Sequence, residues 1–236
     1  MDTPVKIDKL IRARRRIIGL QIGNDGTLIV RVPLTAGLRE IHSIVQAKRA
    51  WIVRNQEKIL GKNRARVPRL YAEGEYFIFI GKSYPSIYTP HSSELSFDSA
   101  CFHLPSRESA ALKKEFQQWY MAKAFEVIQE RCGYFAGLMG LPHPKVSIGR
   151  ATSRWGMCNP KGGLRFCYRL VLAPQEVIDM VVVHELAHIR VRNHSAAFYA
   201  EMAKWLPEYK KPDLWLKRHS HLLDPGILQQ GGFPKV

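Results

Sequence analysis

The chain has 236 residues, of which 46% are hydrophobic and 24% charged, a composition that is ordinary for a globular protein. Its net charge of +16 is less ordinary, because a field of that sign attracts phosphates, acidic surfaces or anionic lipid. No stretch approaches the roughly 20 apolar residues of a membrane span, and the four cysteines form no CxxC pair, so a membrane protein, a disulfide scaffold and a thiolate zinc site are not expected.

The beginning of the chain carries most of this charge. Residues 1–70 hold 16 lysines or arginines against 5 acidic residues, a net +11. The opening segment MDTPVKIDKL has no apolar run before a small-residue cleavage site, so the sequence predicts a cytoplasmic protein. The basic region predicts either a solvated face or a surface for an anionic partner.

The first elements in chain order are a hairpin and a helix. Residues 17–33 (IIGLQIGNDGTLIVRVP) are typical of a β-hairpin, because the turn residues 24–26 (NDG) tolerate the positive φ that such turns require. Apolar residues at near-helical spacing over 37–60 predict one helix, which we expect to end at Gly61. The basic segment 61–70 is the best candidate for a linker.

A second set of strands and a long helix follow. β-Branched and aromatic residues between glycine, proline and serine predict short strands within residues 71–88 and 94–104. Apolar residues then recur every three or four positions from Ser109 to Gly140 and predict a core helix. We therefore expect two domains, a basic α+β N-terminal region over residues 1–104 and a second domain over residues 105–236.

The second half of the chain is expected to contain a small sheet and one further buried helix. Residues 145–174 predict a strand, a loop and a strand, with the turn at Asn159 to Gly163. Pro174 stands at a position that is favoured in the first turn of a helix, and the helix is predicted to run through QEVIDMVVVHELAHIR to Arg190.

The motif HELAH, residues 184–188, is the strongest chemical signal in the sequence. On a helix, His184 and His188 project from one face with their Cβ atoms about 5–6 Å apart, so both imidazoles can reach one metal ion. Glu185 is turned roughly 100° around the axis, which keeps it off the metal but within reach of a water ligand. The flanking residues are apolar, and imidazole or carboxylate groups buried among them need a partner.

The third ligand is less determined by spacing. His194 stands six residues after the motif and can reach the metal only if the chain leaves the helix and doubles back. Asn193 is a candidate for a left-handed helix end, and Ser195 could cap the next helix. The rival ligands are Glu201 and Glu208, which also follow the motif.

Several motifs in order resemble the YgjP-like zinc metallopeptidases, which are related to the SprT and WLM groups. The resemblance extends from about Arg12 to Leu223 and rests on four segments: SRWGMC (153–158), YRLVLAP (168–174), VVVHELAHI (181–189) and NHSAAFY (193–199). It implies an α+β fold, a zincin-like helical domain with a small sheet packed on the HELAH helix. It also implies that His184, His188 and His194 are the zinc ligands and that Glu185 is the catalytic base.

Two departures from the family pattern concern the substrate rather than the metal. Met157 stands where the family usually has a small residue, and LRFCYRL, residues 164–170, replaces a more polar strand. Contacts to a substrate along this segment are therefore expected to differ.

These residues predict a zinc-dependent hydrolase with one Zn²⁺ per chain. Three neutral imidazoles leave a fourth position for water, which is the arrangement of a catalytic zinc. The metal lowers the pKa of that water, and Glu185 acts as general base in cleaving a peptide bond. Arg154 is the candidate donor to the transition state, with Tyr168 and Tyr199 as further candidates for substrate contact.

Two other functions stay open at this point. The same chemistry would serve a metal-dependent phosphoanhydride hydrolase acting on nucleoside triphosphates, an anionic substrate that suits the charge, although the chain has no phosphate-binding glycine loop. A nucleic-acid-associated zinc protein is the other possibility, suggested by Trp51, Arg54 and the arginines at 14–16 in the basic N-terminal third. Peptide or protein, nucleotide and nucleic acid are thus the candidate partners.

Overall fold

A computed structural model describes residues 5–23, 25–64, 67–105, 108–228 and 233–236. The chain divides into two compact units, residues 1–67 and residues 68–236. The class is α+β, as the sequence predicts. In the part of the chain that is described, no helix combines the length and the apolar character needed to cross a bilayer.

The first unit contains a three-stranded sheet and two helices. Its elements are β1 (Lys9–Ala13), β2 (Gly19–Ile22), β3 (Leu28–Pro33), α1 (Leu38–Ala47) and α2 (Arg49–Arg64). β2 and β3 form the predicted antiparallel hairpin, and β1 adds to β3 in parallel. Gly26 in the turn has a φ of 87°, whereas Asn24 lies outside the described residues. Alternate residues of β3 and apolar residues of α1 and α2 are buried together in one hydrophobic core. This core contains Leu28, Val30, Val32, Ile41, Val45 and Ile52.

The prediction of a single helix over residues 37–60 is wrong, because this segment forms two helices. α1 ends at Lys48, whose N–H donates to the carbonyls of both Ile44 and Val45, and α2 begins at the next residue. Neither glycine nor proline marks this break. Gly61, which was expected to end the helix, lies inside α2, where glycine costs only about 1 kcal/mol relative to alanine.

The second unit begins with a four-stranded sheet packed on a long helix. Its elements are β4 (Tyr76–Phe79), β5 (Lys82–Tyr88), β6 (Ser96–Phe97), β7 (Phe102–Leu104) and α3 (Ser109–Leu138), and the strand order is β4-β5-β7-β6. Phe77 of β4 stacks on Phe116 of α3 with ring centroids 3.9 Å apart. Because these strands share a hydrophobic core with α3, the compact units divide at residues 67 and 68 and not at the boundary of 104 and 105 expected from the sequence.

A second small sheet and the motif helix complete the core of this unit. The strands are β8 (Val146–Gly149), β9 (Gly156–Cys158) and β10 (Leu164–Cys167), in the order β8-β10-β9, and a 3-10 helix (Tyr168–Leu172) leads into α4 (Gln175–Arg190). β9 is an edge strand within the segment predicted as a loop, and it lies against α4. Pro174 directly precedes α4. The small sheet therefore packs on the HELAH helix, as the sequence implies.

Three short helices follow the motif helix. They are α5 (Ala196–Trp205), α6 (Lys210–His219) and a 3-10 turn (Ser220–Leu222). Both α5 and α6 pack against α4. Within the HELAH segment, Glu185 contacts Gly156 of β9, and both histidines contact Phe198 of α5.

Candidate metal centre

Three imidazole rings meet beside β9. One ring nitrogen from each of His184, His188 and His194 lies within 4.8 Å of the others. The Nε2 atoms of His184 and His194 are 3.1 Å apart, and the ring centroids of His188 and His194 are 4.7 Å apart. The structure thus brings together the three side chains that the sequence predicts as ligands.

The backbone between α4 and α5 places the third ring. The helix ends at Val191, which has an extended conformation with φ −127° and ψ 106°, and α5 begins after Ser195. The carbonyl of Val191 lies 3.1 Å from Nδ1 of His188, so that Nδ1–H can donate to it and leave Nε2 free for a metal. Asn193 does not have the left-handed conformation expected from the sequence, and Ser195 precedes α5 without a capping hydrogen bond from its side chain.

Phe198 supports all three rings from α5. Its side chain is fully buried, and its ring centroid lies 4.9, 4.5 and 4.8 Å from those of His184, His188 and His194. The ring of His188 stacks on it. Phe198 lies within the segment NHSAAFY, but its place three residues after Ser195 does not by itself indicate this role.

The two rival ligands have other partners. Glu201 accepts hydrogen bonds from Arg190 at 2.6 Å and from the indole of Trp205 at 2.9 Å. Glu208 is exposed and forms an ion pair with Lys211. Neither carboxylate belongs to the histidine cluster.

Glu185 is a buried carboxyl group beside this cluster. Burial raises its pKa to about 7, and the N–H of Cys158, which donates to the carboxylate, and the charge of Arg154 oppose that shift. Gly156 of β9 packs directly on this side chain, because a Cβ added there would lie 2.6 Å from Cγ of Glu185. The Glu185 carboxyl group is therefore packed between α4 and the edge strand β9, and its pKa is close to neutral pH.

His184 and His188 resist protonation in the metal-free chain. Burial is the largest cause that lowers the pKa of His184 to about 4, and His188 and His194 lower it further. Burial also lowers the pKa of His188. Neutral imidazoles are what a metal ion requires, so the electrostatics and the donor set both fit a zinc ion.

Of the three predicted substrate contacts, Arg154 and Tyr199 lie near the metal centre and Tyr168 does not. Arg154 lies on the loop before β9, near enough for its charge to act on Glu185. Tyr199 is half exposed on α5, with its ring centroid 6.5 Å from that of His194. Tyr168 is not brought to the histidines: it is buried in the 3-10 helix, accepts a hydrogen bond from the side chain of Gln117, and lines a separate cavity.

Arg192 is a residue near the site that the sequence analysis did not single out. Its guanidinium donates to the carbonyls of Asn159 at 2.9 Å and Pro160 at 3.0 Å, which ties the segment before His194 to the turn between β9 and β10. Arg192 also lines, with Met157 and the motif residues, an open cavity of about 270 Å³ over the histidines. A substrate would reach the histidines through this cavity.

Comparisons with known proteins give one family and two partly similar structures. The family described as YgjP-like, metallopeptidase domain matches residues 16–219. Two crystal structures of metallopeptidase zymogens are similar to part of the chain: abylysin of Pyrococcus abyssi (20% identity, TM-score 0.36, 39% of this chain and 95% of that chain) and jannalysin of Methanocaldococcus jannaschii (18% identity, TM-score 0.36, 40% of this chain and 96% of that chain). No curated protein sequence matches the chain significantly.

Proposed function

The chain belongs to the YgjP-like metallopeptidase family, and from that premise we propose that it is a zinc-dependent peptidase whose metal is held by His184, His188 and His194. The observation that carries this proposal is the meeting of three imidazoles beside one buried carboxyl group, Glu185. Imidazole nitrogen favours zinc among the available divalent ions. When bound, zinc supplies a Lewis acid that lowers the pKa of a water molecule and polarises a carbonyl group.

Glu185 is the proposed general base. Burial raises the pKa of Glu185 in the metal-free chain to about 7, which increases the affinity of the carboxylate for a proton. A carboxylate oxygen can take a proton from water and later give it to the leaving nitrogen. The N–H of Cys158 and the close contact with Gly156 orient this side chain. One group therefore accepts and returns the same proton.

Arg154 and Tyr199 are the proposed substrate contacts. Arg154 carries a positive charge near Glu185, where it can stabilise negative charge that develops on a carbonyl oxygen. The ring of Tyr199 lies on α5 with its centroid 6.5 Å from that of His194. Tyr168, which lines a different cavity, has no part in this proposal.

The two alternative functions rest on the charge of the chain, and the phosphoanhydride alternative rests also on the chemistry of the metal. A net charge of +16 suits a nucleoside triphosphate or a nucleic acid, and the arrangement of the histidines does not itself discriminate between a carbonyl and a phosphoryl group. Both alternatives therefore stay predictions, and a substrate screen separates them from peptide hydrolysis.

The proposal is tested with Glu185→Gln, assayed beside the parent protein on casein and on nucleoside triphosphates. We expect the parent to cleave casein, and the variant to keep its metal but lose activity by a factor of about 100 or more, because the proton acceptor is gone. Glu208→Gln is the matched control, since Glu208 is exposed and pairs with Lys211. Full casein cleavage by Glu185→Gln would refute the assigned base, and a parent active on triphosphates alone would support the phosphoanhydride alternative.

A further inference from the structure

A second group of metal-ligating side chains lies at the turn between β6 and β7. Asp98 follows β6, Cys101 precedes β7, and His103 lies within β7. One ligand atom from each lies within 4.8 Å of the others. No residue of this turn belongs to the histidine cluster on α4, and the spacing D-x2-C-x-H contains none of the paired cysteines that the sequence analysis considered.

Two of the three separations between the ligand atoms are close to those of a tetrahedral site, and the third is shorter. Nε2 of His103 lies 2.9 Å from Oδ2 of Asp98 and 3.5 Å from Sγ of Cys101, and the sulfur lies 3.7 Å from the same carboxylate oxygen. Ordinary zinc bond lengths to nitrogen, oxygen and sulfur place the corners of a tetrahedron roughly 3.3–3.6 Å apart. A small outward movement of the Asp98 oxygen would therefore let all three atoms bind one ion.

Neighbouring groups already orient two of these ligands. Oδ1 of Asp98 accepts the N–H groups of Ala100 and Cys101, both at 2.8 Å, which leaves Oδ2 directed at His103. Nδ1 of His103 lies 3.2 Å from the hydroxyl of Thr89. A histidine that donates from Nδ1 presents Nε2 to a metal, and such outer contacts are typical of metal-binding histidines.

The same residue types could also suggest a cysteine nucleophile activated by histidine. In such a triad, the carboxylate holds one ring nitrogen and the nucleophile faces the other. Here Asp98 and Cys101 both face Nε2, and Thr89 faces Nδ1. This convergence on one nitrogen favours a metal site over nucleophilic catalysis.

We propose that Asp98, Cys101 and His103 form a second site for a divalent ion of the zinc class, distinct from the one zinc per chain predicted at His184, His188 and His194. Thiolate, imidazole and carboxylate together select zinc rather than calcium or magnesium. The Asp98 side chain is half exposed, so solvent can complete the coordination. An ion bound here joins the end of β6 to β7 and stabilises the edge of the four-stranded sheet.

Cobalt(II) reports this site separately from the first, because only a thiolate ligand gives sulfur-to-cobalt charge-transfer absorption. The background protein is the full chain with His184→Ala and His188→Ala. This protein and two further variants of it, one with Cys101→Ser and one with Cys158→Ser, are each stripped of metal and titrated with Co²⁺. Cys158 is the matched control, since it is also a partly exposed free cysteine of this unit. We expect one equivalent of charge-transfer absorption that Cys101→Ser abolishes and Cys158→Ser leaves intact. Charge-transfer absorption that survives Cys101→Ser would overturn the proposal, as would the absence of such absorption in the background protein.

A thermal measurement guards against misfolding of the cysteine variant. Zn²⁺ should raise the melting temperature of the same background protein, because a ligand that binds only the folded state stabilises it. Asp98→Asn keeps the size of the side chain and should weaken Zn²⁺ binding by about tenfold or more. Because the Asp98 carboxylate also pairs with His103 and accepts two backbone N–H groups, the shift that Zn²⁺ causes is measured from the metal-free melting temperature of each variant. Zinc-induced stabilisation that is equal in the background protein, Cys101→Ser and Asp98→Asn would contradict the site.

Discussion

At the scale of single residues, the proposed centre depends on contacts that do not themselves touch the metal. Phe198 is in contact with all three imidazoles, so its ring restricts how far they can rotate. A metal ion binds most tightly when its ligands need no reordering, so the packing of this ring should determine metal affinity as well as stability.

Phe198→Leu is the substitution that separates these two effects. We expect the affinity for zinc to fall about tenfold to a hundredfold, because a smaller side chain lets the imidazoles rotate. Phe116→Leu is the control, since Phe116 is equally buried in the same core but lies on α3. Both variants should lose about 1–2 kcal/mol of unfolding free energy in the metal-free state. Equal zinc affinities in competition with a chelator would contradict the positioning role.

Glu185 gives a prediction about the pH dependence of stability in the metal-free protein. Its pKa is raised from 4.5 to about 7, so between these values the unfolded chain releases a proton that the folded chain keeps. Folding stability therefore falls as pH rises from about 4.5 to about 7, and the loss is complete above about 7. Glu185→Gln removes this loss, since the amide does not ionise.

The stability gain of Glu185→Gln over the parent should accordingly be near zero at pH 4.5 and reach about 3 kcal/mol at pH 8. Denaturant unfolding in the presence of a chelator measures it at both values. The lowered pKa of His184 acts in the opposite direction, but it acts in both proteins and largely cancels. A gain that does not change with pH would show that burial does not control the ionisation of Glu185.

The sequence could predict the residues that project from one helix but not those that reach them from elsewhere. The i, i+4 spacing of His184 and His188 brings both rings to one face of α4 wherever the chain goes next. The proximity of Gly156, Arg192 and Phe198 depends on β9 and α5 packing beside α4. No local spacing encodes those contacts.

At the scale of elements, an ion pair links the motif helix to α3, with which it also shares the hydrophobic core. Arg131 of α3 donates to both carboxylate oxygens of Asp179 on α4, at 2.6 and 2.9 Å, and the two side chains are only 22% and 14% exposed. Gln175 also donates to Asp179 at 2.9 Å. Loss of the arginine would leave a poorly solvated carboxylate at the start of α4.

We expect Arg131→Met to reduce the free energy of unfolding by about 2–3 kcal/mol, because an unpaired, partly buried charge is costly. Lys123→Met is the control on the same helix: Lys123 pairs with Glu126 on the surface, and its loss should cost less than about 1 kcal/mol. Urea unfolding of the three proteins measures both changes. Equal losses would mean that the Arg131–Asp179 pair does not anchor α4.

An element can be predicted from the sequence when a pattern within its own residues indicates it. The β2–β3 hairpin, α3 and α4 have strong turn or apolar patterns and lie where these patterns indicate. The break at Lys48 carries no glycine or proline, and the three-residue strand β9 exists because β10 pairs with it. Elements created by tertiary pairing were therefore missed.

At the scale of the whole molecule, much of the positive charge and the proposed catalytic residues belong to different parts of the sequence. Much of the charge belongs to the first 70 residues, whereas all the proposed catalytic residues lie in residues 68–236. We propose that the N-terminal region attracts an anionic partner, such as nucleic acid, by charge rather than by sequence-specific contact. Binding to DNA that does not weaken as salt is raised, or no binding, would exclude this proposal.

The central claim is that three ring nitrogens of the second unit bind one zinc ion. The most direct measurement is an anomalous-difference map, recorded at the zinc absorption edge from crystals of the protein grown with Zn²⁺. We predict a peak about 2.0–2.1 Å from one nitrogen of each of His184, His188 and His194. A map with no peak among these three rings would contradict the account.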